Sequence, residues 1–352
     1  MWGELTLFNA SDAYADGIVR GYKGGLLREE DYEPLCQSPS MDDYRMHLQG
    51  TDYGNFLANE PPNPSPAAVQ DRATDLMVQE FEYLRGNAGD TLAQFLDYIR
   101  HPYMIDNVIL VIQGTLHDRP LAELLEKCHP LGRFDDLGAA ALASNVDELY
   151  HHVLVDTPVG KYFSKECFQV EDMHETELDV VRNLLMKAYL EDFLNFCQNE
   201  IGGTTAEVMT SILEFEADRR AINISLNALG SELTKDDVRK LYPECGLLFP
   251  FGHVALNEMS DRDQFSKLLE QPLKDYAHVL EGTSVDQEGS IEEAFSKAEI
   301  ELHKASFDQQ FHYGVFYSYF ALKEREIRNL TLIAECIAQE QRGRIHNYYP
   351  IY

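Results

Sequence analysis

The chain has 352 residues and sets 60 Asp and Glu against 29 Lys and Arg, a formal charge of −31. Such a body repels DNA and anionic lipid headgroups, so its partners are expected to be proteins with neutral or basic faces. An apolar fraction of 44% with 11% aromatics can bury a large core in one to three domains and excludes disorder for most of the length.

Residues 1 to 70 carry scattered tyrosines and glycines and a run of prolines, Pro61, Pro62, Pro64 and Pro66, which cannot be continuous helix and is expected to be a loop or connector. From about Ala73 the pattern turns helical. The longest apolar stretch in the middle of the chain, Val108 to Ile112, is far short of the roughly 20 residues a membrane-spanning helix needs, so no bilayer crossing is expected. Leu178, Val181, Leu185, Tyr189, Phe193 and Phe196 follow one another at steps of 3, 4, 4, 4 and 3, which predicts one amphipathic helix packed on a core. Thr204 with Glu207, and Ser290 with Glu293, have capping-box spacing and mark expected helix starts. Pro243 to Gly252, with two prolines and two glycines, reads as a loop. No proline lies between Pro272 and Pro350, so a pair of long helices is expected near the C-terminus. No strand-like alternation recurs, and the fold class is all-α.

Three stretches align on one asparagine: IDNVILVIQG around Asn107, AINISLNALG around Asn223 and IRNLTLIAEC around Asn329. They share Asn at the third position and Leu at the sixth, they lie 116 and 106 residues apart, and each follows an aromatic-rich helix. This spacing divides the chain into three comparable helical lobes about a pseudo-threefold axis, with expected bounds of 1–130 (including the N-terminal extension and Pro-rich loop), 131–245 and 246–352. The asparagines have two readings. In the structural one each holds a neighbouring helix end. In the functional one they line a central opening, with Glu216, Asp218, Arg219 and Arg220 in the middle lobe and Glu324, Arg325, Glu326 and Arg328 in the last.

Familiar chemistry is missing from the sequence. Gly160-Lys161 is followed by Tyr162 and lacks the first glycine of a phosphate loop, and no G-x-S-x-G or H-E-x-x-H occurs. The acidic pairs Asp42-Asp43, Asp135-Asp136 and Asp236-Asp237 read as solvated faces or helix N-termini. Two E-x-x-H spacings, Glu148 to His151 and Glu171 to His174, are the basis of an alternative, an all-α enzyme with a carboxylate-bridged di-metal centre. Neither sits mid-helix, which counts against it. Six cysteines, Cys36, Cys128, Cys167, Cys197, Cys245 and Cys336, lie far apart without a C-x-x-C pair and read as reduced thiols in a cytosolic compartment. The opening Met1-Trp2-Gly3-Glu4 has no basic or apolar signal region, so secretion is not expected.

At IVRGYKGGLL (18–27), YIRHPYMIDNVILVIQGTLHDR (98–119), EKCHPLGRFD (126–135), LVDTP (154–158), KAYLEDFLNFCQ (187–198), FEADRRAINI (215–224) and QQFHYGVFYSYFALKEREIRNLTLIAECIAQ (309–339), the sequence resembles the d subunits of vacuolar-type proton-pumping ATPases and their archaeal and bacterial counterparts. The matching stretches cover the chain from end to end. The resemblance implies a non-catalytic subunit with no cofactor, no metal and no catalytic residue. It implies three lobes forming a funnel on the cytosolic face of a vacuolar or other endomembrane, peripheral to it, seated on the proteolipid ring, with the foot of the central stalk in its opening and the large membrane subunit a as a further partner. Such a subunit passes torque from the stalk to the ring for proton transport and organelle acidification. Asn107, Asp218, Arg219, Arg220, Asn223, Glu324, Arg328 and Asn329 are the candidate partner-contact or central-opening residues.

Overall fold

The computed structural model describes residues 8, 10–143, 148, 150–163, 175–268, 273–281, 290–348 and 350–352. Helix accounts for 74% of the structure, and no strand forms among the described residues. The chain divides into two compact units, one made of residues 1–96 with 300–352 and the other of residues 97–299.

The first unit begins with four short helices where the sequence reading places no helix: α1 (Ala13–Gly24), α2 (Glu29–Gln37), α3 (Met41–Leu48) and α4 (Gly54–Leu57). They are too short to show a long period. Each nonetheless buries one to three anchors, among them Val19, Tyr32, Tyr44 and Leu57. The Pro-rich stretch ends by starting a helix rather than delaying one. Ser65 accepts a hydrogen bond from the Ala68 amide and Pro66 takes the first helical position, so α5 runs Pro66–Gly86 and the helical pattern opens seven residues ahead of Ala73. Val69, Ala73, Met77, Phe81 and Leu84 form its buried face.

The expected long pair near the C-terminus is present as Ser290–Ser306, which we number α13, and Gly314–Ala338, α14. Helix α14 is the spine of the first unit. It buries Phe316, Tyr319, Phe320, Ile327, Leu330 and Ile333 and packs against α5, α1 and α3. Phe81 meets Phe320 edge to face at 5.2 Å, and the Tyr44 hydroxyl donates to the Leu330 carbonyl at 2.9 Å.

In the second unit, α6 (Asp90–Leu116, of which 97–116 belong here) and α7 (Leu121–Lys127) precede α8 (Glu175–Asn195), with short 3₁₀ and π-helical segments among the described residues between them. All five members of the predicted face on α8, from Leu178 to Phe193, are buried. The sixth, Phe196, is buried too, but it opens a π-helical turn, Phe196–Ile201, that ends the helix. Helix α9 (Gly203–Ala228) follows. Its N-cap is Gly202, at φ +73°, and no side chain caps it. The Thr204 box therefore marks the start without forming, and at the other predicted start Glu293 bonds Lys297 one turn on. Helices α10 (Lys235–Leu241), α11 (Phe251–Glu258) and α12 (Asp263–Leu268) follow, and residues 290–299 of α13 also belong to this unit. The predicted loop occupies 242–250, and its last two expected residues already belong to α11. Ala221, Ile222, Tyr242, Leu248, Leu256, Phe265, Tyr276 and Phe295 form one core cluster. Removing each of the larger side chains from water contributes roughly 1.5–3 kcal/mol.

Candidate partner-contact residues

The three aligned asparagines lie on the three longest helices, α6, α9 and α14, of 27, 26 and 25 residues. Their surroundings differ. Asn107 is buried, its amide nitrogen donating to the His129 carbonyl at 2.9 Å and its oxygen accepting from the His129 amide at 2.8 Å. Both halves of the side chain thus hold one residue just past the end of α7. A Cβ on Gly132 would lie 2.6 Å from the Asn107 amide nitrogen and 2.3 Å from the Tyr103 carbonyl, so the glycine lets the connector come this close. Asn329 is buried and donates to the Tyr32 hydroxyl at 3.3 Å. Asn223 is only half-buried and donates to Glu292 at 2.6 Å.

Around Asn223 the charges of α9 assemble into a network. Arg219 bonds Glu216 at 2.7 Å on its own helix and reaches Glu292 of α13 at 2.6 Å, while Arg220 pairs with Glu216 at 2.7 Å. Burial pushes the Glu216 carboxyl up, but the two guanidiniums with their hydrogen bonds more than offset this and hold it below the usual carboxylate range. The Glu216 carboxylate in turn raises the pKa of Arg219. These groups border a cleft of about 430 Å³ that Arg182, Asn227 and Ser231 also line. The two oxygens of Glu292 are held by Arg219 and Asn223, so the wall of the cleft recognises a carboxylate, here one of the chain's own.

Asp218 is not part of this surface. It is fully buried, and its carboxylate accepts from the Leu247 amide at 2.8 Å, the Leu248 amide at 3.2 Å and the Tyr276 hydroxyl at 2.6 Å. Its expected place at an opening is corrected: helical period turns Asp218 away from Arg219 and into the core, where it holds the 242–250 loop. Burial raises its carboxyl to about 6 against the pull of these three donors.

On α14 the half-buried Glu324 and the exposed Arg328 of the predicted set pair with each other at 2.7 Å. Glu326, which the sequence reading sets at the opening, is instead buried in the core beside Lys323, a residue that reading does not single out. Lys323 and Glu326 are both fully buried and bond at 3.2 Å. Glu326 also accepts from the Tyr53 hydroxyl at 2.7 Å and from the Leu27 amide, and Lys323 sits 4.2 Å above the Tyr53 ring. Nearby, Glu80 of α5 accepts from the Tyr319 hydroxyl at 2.6 Å. Burial raises the Glu80 carboxyl, against the opposing influence of Lys323 and of that hydrogen bond. The signal was available, since Lys323 and Glu326 share the face of Tyr319, Leu322 and Leu330, whereas Glu324 and Arg328 do not.

His151 lies in a π-helical turn, Tyr150–Leu154, and Glu148 lies outside that turn, while Glu171 and His174 lie outside the described residues. Among the described residues no group of three or more His, Cys, Asp or Glu is placed to hold a metal ion. Cys36, Cys128, Cys197, Cys245 and Cys336 are free thiols, and Cys167 lies outside the described residues. No helix among the described residues is long and apolar enough to cross a membrane.

A family model described as ATP synthase (C/AC39) subunit matches residues 15–348. The chain is 46% identical over 348 residues to a probable V-type proton ATPase subunit d of Oryza sativa, covering 99% of this chain and 98% of the relative. It is 44% identical over 351 residues to the V-type proton ATPase subunit d of Dictyostelium discoideum, again covering 99% and 98%. To the V-type proton ATPase subunit d of Saccharomyces cerevisiae it is 41% identical over 352 residues, 99% of this chain and 100% of the relative. Matched from end to end in this way, the chain belongs to the ATP synthase (C/AC39) subunit family and, within it, to the V-type proton ATPase subunits d, structural rather than catalytic parts of the pump.

Proposed function

We propose that the protein couples the rotating central stalk of a V-type proton pump to its proteolipid ring, as a peripheral subunit on the cytosolic face of an endomembrane. The observation that carries this reading is the end-to-end similarity to V-type subunits d, which leaves no large insertion or deletion in which a different activity could reside. In this reading the three long helices bearing Asn107, Asn223 and Asn329 are the cores of three related lobes, 1–130, 131–245 and 246–352, set as a funnel around an opening for the stalk foot. The large membrane subunit of the pump is a further partner. Transmitting torque needs stiffness rather than a reactive group, and close-packed helices deform little. The clamp of Asn107 on His129 and the buried Lys323–Glu326 pair supply such stiffness.

The partner-contact residues in this reading are those that reach solvent: Arg219, Arg220 and Asn223 at the cleft, and Glu324 and Arg328 on α14. Reversing the charge of Arg219 would set three carboxylates together with Glu216 and Glu292 and would test the fold as much as the coupling. The informative variants are therefore Arg328→Glu and, at the cleft, Asn227→Glu, both at exposed positions. Isolated membranes carrying each variant are compared for proton pumping and ATP hydrolysis. Loss of pumping with hydrolysis retained is the expected signature of slipped coupling. Wild-type values for both activities in both variants would place the stalk contact elsewhere.

A further inference from the structure

Helices of an acidic protein rarely leave large apolar side chains bare in a row, yet within eight residues Leu247, Phe249, Phe251 and Val254 are 63%, 43%, 85% and 49% exposed. Together they uncover on the order of a few hundred Å² of apolar surface, the range in which a patch on a monomer marks an interaction site. Their exposure is not slack in a loop. Leu248, between the first two, is buried in the core cluster, and the carboxylate of Asp218 holds the Leu247 and Leu248 amides from below. Gly246 adopts φ +98°, and a Cβ there would lie 2.2 Å from Asp218. His253, buried beneath the patch, packs on Tyr242 at 4.9 Å and on Phe249 at 5.6 Å. The chain spends a buried carboxylate, a left-handed glycine and a buried histidine on presenting four apolar side chains outward in a fixed shape.

We propose that this knuckle, Leu247 to Val254, is a docking surface for a protein subunit that offers an apolar seat with a neutral or basic rim. The inference rests on the coupling reading above and gives it a second point of attachment, apart from the cleft and α14. Charge selects the occupant. Glu244 and Glu258 flank the knuckle and are exposed, on a chain of net charge −31. Anionic lipid and a second copy of this chain are both repelled at that range, whereas a subunit with a neutral or basic rim is not. A preordered surface loses little conformational entropy on docking, which lowers the cost of association.

The test uses full-length tagged protein added to detergent-solubilised membranes from cells lacking their own copy of this subunit, with co-purifying pump subunits quantified. Wild type is compared with the Phe251→Ser/Leu247→Ser double variant and with Phe251→Leu. The double variant is expected to keep the wild-type melting temperature, because both side chains are exposed, and to capture membrane-sector subunits at least about tenfold less well. Phe251→Leu is expected to retain most of the capture. Equal capture by wild type and double variant overturns the proposal, while a wild type that captures no pump subunit overturns the coupling reading beneath it. Protein-free vesicles of phosphatidylcholine, with and without phosphatidylserine, provide the lipid arm. Binding of wild type to either, lost in the double variant, would reassign the knuckle to lipid, and self-association abolished in the double variant would reassign it to a second copy.

Discussion

Helices α9 and α14 carry the same kind of sequence, a cluster of acids and bases running into an apolar segment with a central asparagine, and they use it in opposite ways. In α14 the ion pair Lys323–Glu326 is sealed inside the first unit, and the pair of half-buried Glu324 with exposed Arg328 faces solvent. In α9 the ion pairs of Arg219 and Arg220 sit at a cleft, and the buried acid, Asp218, holds a loop by accepting from two backbone amides and a tyrosine hydroxyl. The difference teaches that charge beside an apolar helix does not announce a surface. What decides is the angular position of each residue around the helix and whether the facing segment supplies donors.

The sharpest way to break this comparison is Glu326→Ala. It leaves Lys323 charged and unpaired in the core, with an expected loss of about 3–5 kcal/mol of stability measured by urea unfolding. Lys323→Met combined with Glu326→Leu is expected to recover much of that, though not all, because the Leu27 amide and Tyr53 hydroxyl lose their acceptor. In the second unit Asp218→Ala should cost about 2–3 kcal/mol, since two backbone N–H groups and a hydroxyl lose one shared partner. A wild-type melting temperature for that variant would mean the loop is held by Leu248 alone. Asn107→Leu is expected to cost about 1–2 kcal/mol and Asn223→Leu less, because only the first strands a buried peptide group.

Acid sharpens the contrast further. Burial holds His253 down at about 4 against an ordinary 6.5, with Lys187 lowering it and Glu244 opposing. Its contribution to stability is therefore complete above pH 6.5 and is lost as pH falls through 4. Asp218, raised to about 6 by burial, runs the other way, contributing fully below about 3.8 and losing this as pH rises through 6. His253→Phe, which keeps the ring packing, should flatten the fall in melting temperature between pH 7 and pH 4.5; an unchanged slope would assign acid sensitivity to other groups. At the bottom of the scale, Arg328→Ala breaks a solvent-exposed pair and should move stability by less than ~0.5 kcal/mol.

Much of this fold is legible in the residues. The helical period on α8 names five of its buried side chains and passes over Leu184, Met186, Leu190 and Leu194, and the proline-free stretch near the C-terminus names α13 and α14. Three other features escape. The helices between residues 13 and 57 depend on tyrosines such as Tyr32 and Tyr44 that bond to α14, a distant partner that no local window contains. The π-turn after Asn195 needs only one extra residue per turn, which a spacing of 3 or 4 cannot register. Of the candidate residues, Asn107 and Asn329 fit the packing role that their repeated position suggests, whereas Asp218 was grouped with its sequence neighbours Arg219 and Arg220 although a helix turns adjacent residues about 100° apart.

The first unit has a consequence for how the chain is made. Tyr319 and Lys323, which complete the surroundings of Glu80 and Tyr53, follow them by well over two hundred residues, 239 in the case of Glu80 and Tyr319. At a synthesis rate of about 5–20 residues per second, the first ninety or so residues emerge tens of seconds before their spine exists, while the 97–299 unit is already complete. In that interval the apolar faces that α1, α3 and α5 turn toward α14 lack that cover, and transiently exposed apolar surface of this kind is what chaperones bind.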